Sequence, residues 1–290
     1  MLLLLNILVA VFLSLHFAFT TIVIKGLRKK VTEINENHNY SVSVLIAARN
    51  EQANIEYVLN SISENTFNKS SYEVIVIDDH SEDQTIEIVK KWSADHNTMK
   101  LVLVSAKGTG KKNAIEEGLK ICTNEIILQT DADCFVPEKW IESMTTHFKR
   151  SEVQMVAGPV QLYPTTNFFE RLQGLEFSSL IASSIGLSRK GWSIMANAAN
   201  LAYRKSSREQ FFFNEKSESG DDVFFIQQLA KKSPKSIVYL SDSSSLVTTK
   251  PSSTICGFLN QRARWASKTK EYPNFKGKLI ATHVLLLNVL

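Results

Sequence analysis

The stretch Glu125-Ile126-Ile127-Leu128-Gln129-Thr130-Asp131-Ala132-Asp133 opens as an apolar run and closes on two carboxylates one residue apart. A short apolar run between polar segments reads as a strand covered on both faces. In an extended segment, residues i and i+2 point the same way, so the carboxylates of Asp131 and Asp133 can face one ion. A divalent cation held there would also reach phosphate oxygens. The competing reading is a polar strand end that binds nothing.

Similar runs recur on both sides. Val42-Ser43-Val44-Leu45-Ile46-Ala47, Val74-Ile75-Val76-Ile77 and Leu101-Val102-Leu103-Val104 read as strands, and residues 155–160 as another. Between them, apolar residues fall at helical spacing. Ile55, Val58, Leu59 and Ile62 follow Asn54 as a cap; Ile86, Val89 and Trp92 follow a start at Ser81 or Asp83; a third helix covers residues 112–121. This alternation predicts an α/β fold with a mostly parallel central sheet and right-handed crossovers. Ligands of such sheets bind outside the carboxyl ends of the strands. Arg49-Asn50-Glu51, Asp78-Asp79 and Asp131-x-Asp133 all fall at those ends. Beyond residue 160 the alternation stops. Residues 168–185 form an apolar-rich helical stretch, and Ile237-Val238-Tyr239-Leu240 a short strand.

Each polar cluster admits two readings. Asp78 and Asp79 can accept hydrogen bonds from a base and a ribose, or shape a turn with Ser81. Arg49 and Glu51 can line the same crevice or only begin a helix. Gly108-Thr109-Gly110-Lys111-Lys112-Asn113 departs from the Walker pattern, with Ser105 at the first glycine position and Lys112 where Ser or Thr belongs. Lys112 can still bring charge to a diphosphate at a helix N-terminus. Asp221-Asp222 can supply a general base or favour a helix start. Gln261, Arg264 and Trp265 fall at i, i+3 and i+4, offering a cationic fork and a flat ring on one helix face. An amphipathic helix with Trp at a membrane boundary gives the same pattern.

The 290 residues carry a net charge of +4, with 44% hydrophobic and 21% charged residues. That is globular, and no basic patch interleaved with aromatics suggests a nucleic-acid partner. The 3 cysteines are widely spaced, which indicates neither a zinc site nor a disulfide framework. Residues 1–24 are nearly continuous in apolar side chains, and a span takes ~20 residues. A cleaved signal peptide would want positive charge before the run and small residues at its end. Lys25, Arg28, Lys29 and Lys30 instead follow it, so a retained anchor is expected, with the remainder on the cytoplasmic side of a cell membrane. Residues 279–290 are apolar again but too few to span. They are expected to begin a second membrane segment of a longer protein, or to lie at the interface.

In this order, Arg49-Asn50-Glu51, Asp78-Asp79, Asp131-x-Asp133, Asp221-Asp222 and Gln261-x-x-Arg264-Trp265 resemble the family 2 glycosyltransferases. They are most similar to the membrane-associated branch with cellulose, chitin, hyaluronan and poly-N-acetylglucosamine synthases. Asn197-Ala198-Ala199-Asn200-Leu201-Ala202-Tyr203-Arg204 resembles that branch's segment before the base, and the likeness covers roughly residues 41–270. The resemblance implies a GT-A type αβα sandwich, here a glycosyltransferase domain over residues 41–278. It implies that Asp79 with Asp78 contacts the nucleoside, and that Asp131 and Asp133 hold diphosphate and metal, Mg²⁺ or Mn²⁺. Asp222 would be the base, and Gln261, Arg264 and Trp265 would line the diphosphate and acceptor pocket. Asp221 stands where the family has Glu. UDP is the implied nucleotide, with N-acetylglucosamine or glucose as the sugar.

An inverting transfer to a membrane-associated lipid or glycan is therefore the expected activity. Two other classes compete. A nucleotidyltransferase would want a glycine-rich loop after the first strand, and Ala47-Ala48-Arg49-Asn50-Glu51 has no glycine. A non-catalytic membrane-anchored module would have no need of every charged motif residue.

Overall fold

The computed structural model describes residues 2–29, 40–97, 99–210, 221–267, 272, 277–280 and 282–283. Residues 30–39 and most of the apolar end at 279–290 lie outside the described residues.

In chain order the elements are α1 (Leu2–Leu27), β1 (Val42–Ala48), α2 (Ile55–Ser63), β2 (Tyr72–Asp78), α3 (Thr85–Asp95), β3 (Lys100–Ser105) and α4 (Lys111–Ile121). There follow β4 (Ile126–Asp131), β5 (Cys134–Phe135), α5 (Trp140–Thr145), β6 (Met155–Ala157), β7 (Val160–Leu162) and α6 (Phe168–Ser188). The last are β8 (Leu201–Arg204), α7 (Lys205–Glu209), α8 (Asp221–Lys232), β9 (Ile237–Tyr239), β10 (Val247–Thr249) and α9 (Ile255–Ser267).

The main sheet runs β3-β2-β1-β4-β8-β6-β9. β1 pairs in parallel with β2 and β4, and β2 with β3, while β8 is antiparallel to β4 and β6. The period of two divides the side chains between two cores. Val42, Val44 and Ile46 pack with Val58, Leu59, Val89 and Trp92 of α2 and α3. Leu45, Ile75, Ile77 and Ile127 pack with Ala114, Ile115 and Leu119 of α4 and with Phe225 and Ile226 of α8. Topology explains the division. The steps β1 to β2 to β3 run one way across the sheet, so right-handed crossovers place α2 and α3 on one face. The step from β3 to β4 runs back past β1, which sends α4 to the other face. The order reverses between β1 and β4, the kind of point at which such sheets bind their ligands.

A second, three-stranded sheet, β5-β10-β7, was not foreseen. The strand expected at 155–160 is in fact two, β6 in the main sheet and β7 in the small one. Two helix starts also differ from expectation. Asn54 stands at the N-cap of α2, but its side chain makes no cap bond and its amide donates instead to Glu51 Oε2 at 2.8 Å. α3 begins at Thr85, because Ser81 and Asp83 are drawn into a loop lattice described below.

α1 extends to Leu27, and its segment Val9–Leu27 is long and apolar enough to cross a membrane. It packs on α6, where a Cβ on Gly26 would lie 1.8 Å from Gly186 O. Two glycines therefore let the helices touch backbone to backbone. Arg189 fastens the crossing, donating to Leu27 O at 3.0 Å and to Ser241 Oγ at 2.8 Å.

Candidate active site

The carboxyl ends of β1, β2 and β4 lie side by side, because Ala48 pairs with Asp78 and Ala47 with Asp131. The loops that leave β1 and β2 are laced together. Asn50 N donates to Ser81 Oγ at 3.0 Å and Glu82 N to Asn50 Oδ1 at 2.8 Å. Glu51 N donates to Thr85 Oγ1 at 2.8 Å and Gln52 N to Asp83 Oδ2 at 3.1 Å. Asn50 and His80 adopt positive φ of 56° and 60° to make these turns, a conformation few non-glycine residues hold without local bonding.

Asp78 and Asp79 are both buried. Asp78 accepts from Ser81 N at 3.2 Å, which closes the turn. Asp79 accepts from Gly110 N at 2.9 Å, lies 3.9 Å from the Arg49 guanidinium and 3.4 Å from the His80 ring. Gly110 holds φ at 92°, which favours glycine, and α4 begins immediately after it. Asp79 thus ties together the loops after β1, β2 and β3. A carboxylate has about four acceptor positions, so this leaves capacity for further donors.

Asp131 ends β4, but Asp133 does not continue the strand, contrary to the extended geometry expected of the pair. Residues 132–133 form a turn between β4 and β5. Asp133 is aimed by the small sheet instead. Thr249 of β10 donates to Asp133 Oδ2 at 3.1 Å, and Thr249 pairs with Cys134. The next residue, Lys250, donates to Asn54 Oδ1 at 2.7 Å, and Asn54 bonds Glu51. Lys111, at the first position of α4, forms a 2.5 Å ion pair with Asp131. The sequence points to Lys112 for this charge, and the helix start turns its neighbour toward Asp131.

Negative charge is crowded here. Burial, then the Asp131 carboxylate, raise the pKa of Asp133 above its ordinary value despite the Thr249 bond and the Lys111 charge. Burial also raises Glu51, and the charges of Asp133, Asp131 and Asp83 add to this against the Asn54 bond. Among the described residues no group of three or more His, Cys, Asp or Glu forms a cage for a metal. Two carboxylates that repel each other still fit Mg²⁺ or Mn²⁺, since Mg²⁺ commonly takes one or two carboxylates together with substrate phosphates. Asp131 and Asp133 would hold it.

Asp221 and Asp222 are the first residues of α8, and their side chains lie outside the description. On α9, Trp265 lies 6.2 Å from the Phe177 ring and lines a cavity, while Arg264 is exposed. Among the described residues, Arg262 rather than Arg264 forms an ion pair from this helix: it pairs with Glu176 and lies 4.3 Å from the Trp265 ring. Gln261 Oε1 accepts from Arg262 at 2.6 Å. No hydrogen bond or ion pair among the described residues joins Gln261, Arg264 or Trp265 to the carboxylate cluster.

Thr249 and Lys250 carry no signal in the sequence, and Lys111 and Asn200 stand out there only as parts of longer motifs. Asn200 accepts from Trp140 Nε1 at 2.9 Å and donates to Pro159 O and Ser245 O at 2.7 Å each. It holds the strand ends behind the site, and only its place in the Asn197–Arg204 motif drew notice to it.

The family model described as Glycosyl transferase family 2 matches residues 43–212. Glycosyltransferase AglE of Haloferax volcanii is 32% identical over 124 residues, 42% of this chain and 40% of that protein. Poly-beta-1,6-N-acetyl-D-glucosamine synthase of Staphylococcus aureus is 28% identical over 169 residues, 58% of this chain and 40% of the synthase. The matches thus span 40% of the length of these curated relatives. Among solved structures, mannosyltransferase PcManGT of Pyrobaculum calidifontis, in complex with GDP-Man and Mn²⁺, has a TM-score of 0.66 at 20% identity, over 89% of this chain and 72% of that one. Glucosyl-3-phosphoglycerate synthase of Mycobacterium tuberculosis, in complex with Mn²⁺ and UDP-glucose, has a TM-score of 0.57 at 16% identity, over 81% of each chain. The α/β fold with a mostly parallel sheet, expected from the strand pattern, is the fold these enzymes share.

Proposed function

The chain belongs to glycosyl transferase family 2, and on that footing we propose that it is an inverting, metal-dependent glycosyltransferase. The donor is a nucleotide diphosphate sugar, with UDP as the nucleotide, and the acceptor a membrane-associated lipid or glycan. The observation that carries this reading is the crowding of Glu51, Asp131 and Asp133 in the crevice beside Lys111 and Asp79. Such a cluster invites a divalent cation and a diphosphate. UDP-N-acetylglucosamine and UDP-glucose are the first donors to try.

Asp79, with Asp78 and Arg49, faces the nucleoside. Lys111 and Lys112, at the N-terminus of α4, face the diphosphate, where the helix also favours an anion. A cation bound by Asp131 and Asp133 would offset charge on the departing diphosphate. Asp222 takes the proton from the acceptor hydroxyl, with Asp221 beside it. The hydroxyl oxygen bonds to the anomeric carbon while the opposite carbon–oxygen bond breaks, and its electron pair leaves with the nucleoside diphosphate. One displacement inverts the centre. Gln261, Arg264 and Trp265 serve the diphosphate and acceptor side.

The glycosyltransferase domain is placed at residues 41–278, with α1 as its membrane anchor and the site on the cytoplasmic side. Exposed apolar residues support a surface against lipid: Phe168, Leu172 and Leu175 on α6, and Ile255 and Leu259 on α9. The two helices are joined by the Phe169–Phe258 ring contact at 5.8 Å.

Asp222→Asn tests the base. Transfer should fall by about 10²- to 10⁴-fold with donor binding intact. A variant that keeps most of its turnover would remove Asp222 from this role.

A further inference from the structure

A cavity of about 130 Å³ opens between α6, α8, α9 and the ends of β6 and β9. Phe177, Leu180, Ile181 and Ile185 line it from α6, Trp265 from α9, and Val223 from the first turn of α8, directly after Asp221-Asp222.

Three side chains in this wall have polar atoms engaged with the protein. Ser184 Oγ donates to Leu180 O at 2.8 Å, and Tyr239 Oη donates to Met195 O. Asn197 Oδ1 accepts from Ala199 N at 3.0 Å. A sugar in this space would lose hydrogen bonds to water and recover few of them. A hydrocarbon has none to lose, and it gains by leaving water for an apolar wall.

The location points to the source of the hydrocarbon. α6, which forms much of the wall, is the helix on which α1 is seated through Gly26 and Gly186. α1 is long and apolar enough to cross a membrane. Ile185 lines the cavity one residue before Gly186, so the cavity and the seat of α1 meet on the same turn.

We propose that this cavity holds the hydrocarbon chain of a lipid-linked acceptor and sets its reacting hydroxyl at the start of α8. This assignment depends on the glycosyltransferase activity and names its acceptor as a lipid in place of a free glycan.

The test uses the full chain in phosphatidylcholine vesicles, irradiated with a dodecyl β-glucoside that carries a diazirine in its chain. The label is expected on the Phe177–Ile185 stretch of α6 and on Trp265. Unlabelled alkyl glucosides should compete about fourfold better for each further buried methylene, and methyl glucoside should not compete. Leu180→Trp and Ser184→Phe fill the space from two positions, and each should cut labelling at least ~10-fold. Release of UDP from a UDP-sugar without lipid should be unchanged in both. Label confined to α1, equal competition by methyl glucoside, or full labelling of both filled variants would overturn the lipid assignment. Absence of UDP release from the unaltered protein with every donor tried would instead count against the enzymatic reading.

Discussion

Glu73 stands near the amino end of β2 and Asp133 just past the carboxyl end of β4, and their surroundings push them in opposite directions. Glu73, near the start of β2, faces Ser43 on one neighbouring strand and Lys100 on the other. It accepts from Lys100 Nζ at 2.6 Å, from Ser43 Oγ at 2.7 Å, and from Thr123 N and Oγ1 at 2.8 Å each. Burial alone would raise its pKa, but these donors overcome it and hold the carboxyl down at about 2. Asp133 has Thr249 and a distant share of Lys111, and burial with the Asp131 charge pushes it up. The saturated carboxylate is a fastener, and the undersupplied one suits the proposed role of cation ligand.

Exchanging charge for amide at each position should separate the two roles. Asp133→Asn is expected to lower transfer by about 10²- to 10³-fold, with a melting temperature equal to or above that of the parent, since a buried, repelled charge is removed. A matching loss of stability would break the comparison. Glu73→Gln should do the reverse. Denaturant unfolding should show a loss of about 2 kcal/mol, while turnover per folded molecule stays near the parent's.

The pH dependence should divide in the same way. Glu73 has a folded pKa of about 2 against 4.5 ordinarily, a depressed acid. Its stabilisation is full above 4.5 and lost as pH falls toward about 2. Asp133 and Glu51 are raised acids. Their contribution is present below their ordinary values and lost as pH rises through the raised ones. Mn²⁺ should therefore raise the melting temperature at neutral pH, and the increment should shrink as these carboxyls protonate. An increment independent of pH would place the ion elsewhere. The smallest effect is expected at Lys111, which is half exposed. Lys111→Met should weaken donor affinity by up to about fivefold, read from the donor KM.

The four parallel strands could be read from sequence because covering both faces leaves continuous apolar runs such as Val74-Ile75-Val76-Ile77. The small sheet could not. Its strands are two or three residues long, and it joins residues near 134, 160 and 248 that share no local pattern. Asp133 was picked out by residue type, yet its orientation depends on that sheet through Thr249, so its geometry was not available from spacing. Lys111 and Lys112 differ only by where α4 begins, and that is set by the turn at Gly110 and its bond to Asp79. Asn200 makes buried bonds to three separate segments, which no periodicity announces.

In the proposed function, the carboxylates of Asp131 and Asp133 bind a nucleoside diphosphate through a divalent cation. Calorimetric titration of the full chain with UDP, with and without Mn²⁺, tests it most directly. Binding is expected only with Mn²⁺ present, and it should be lost in Asp133→Asn. UDP binding of equal strength without the metal, or undiminished in that variant, would contradict the claim.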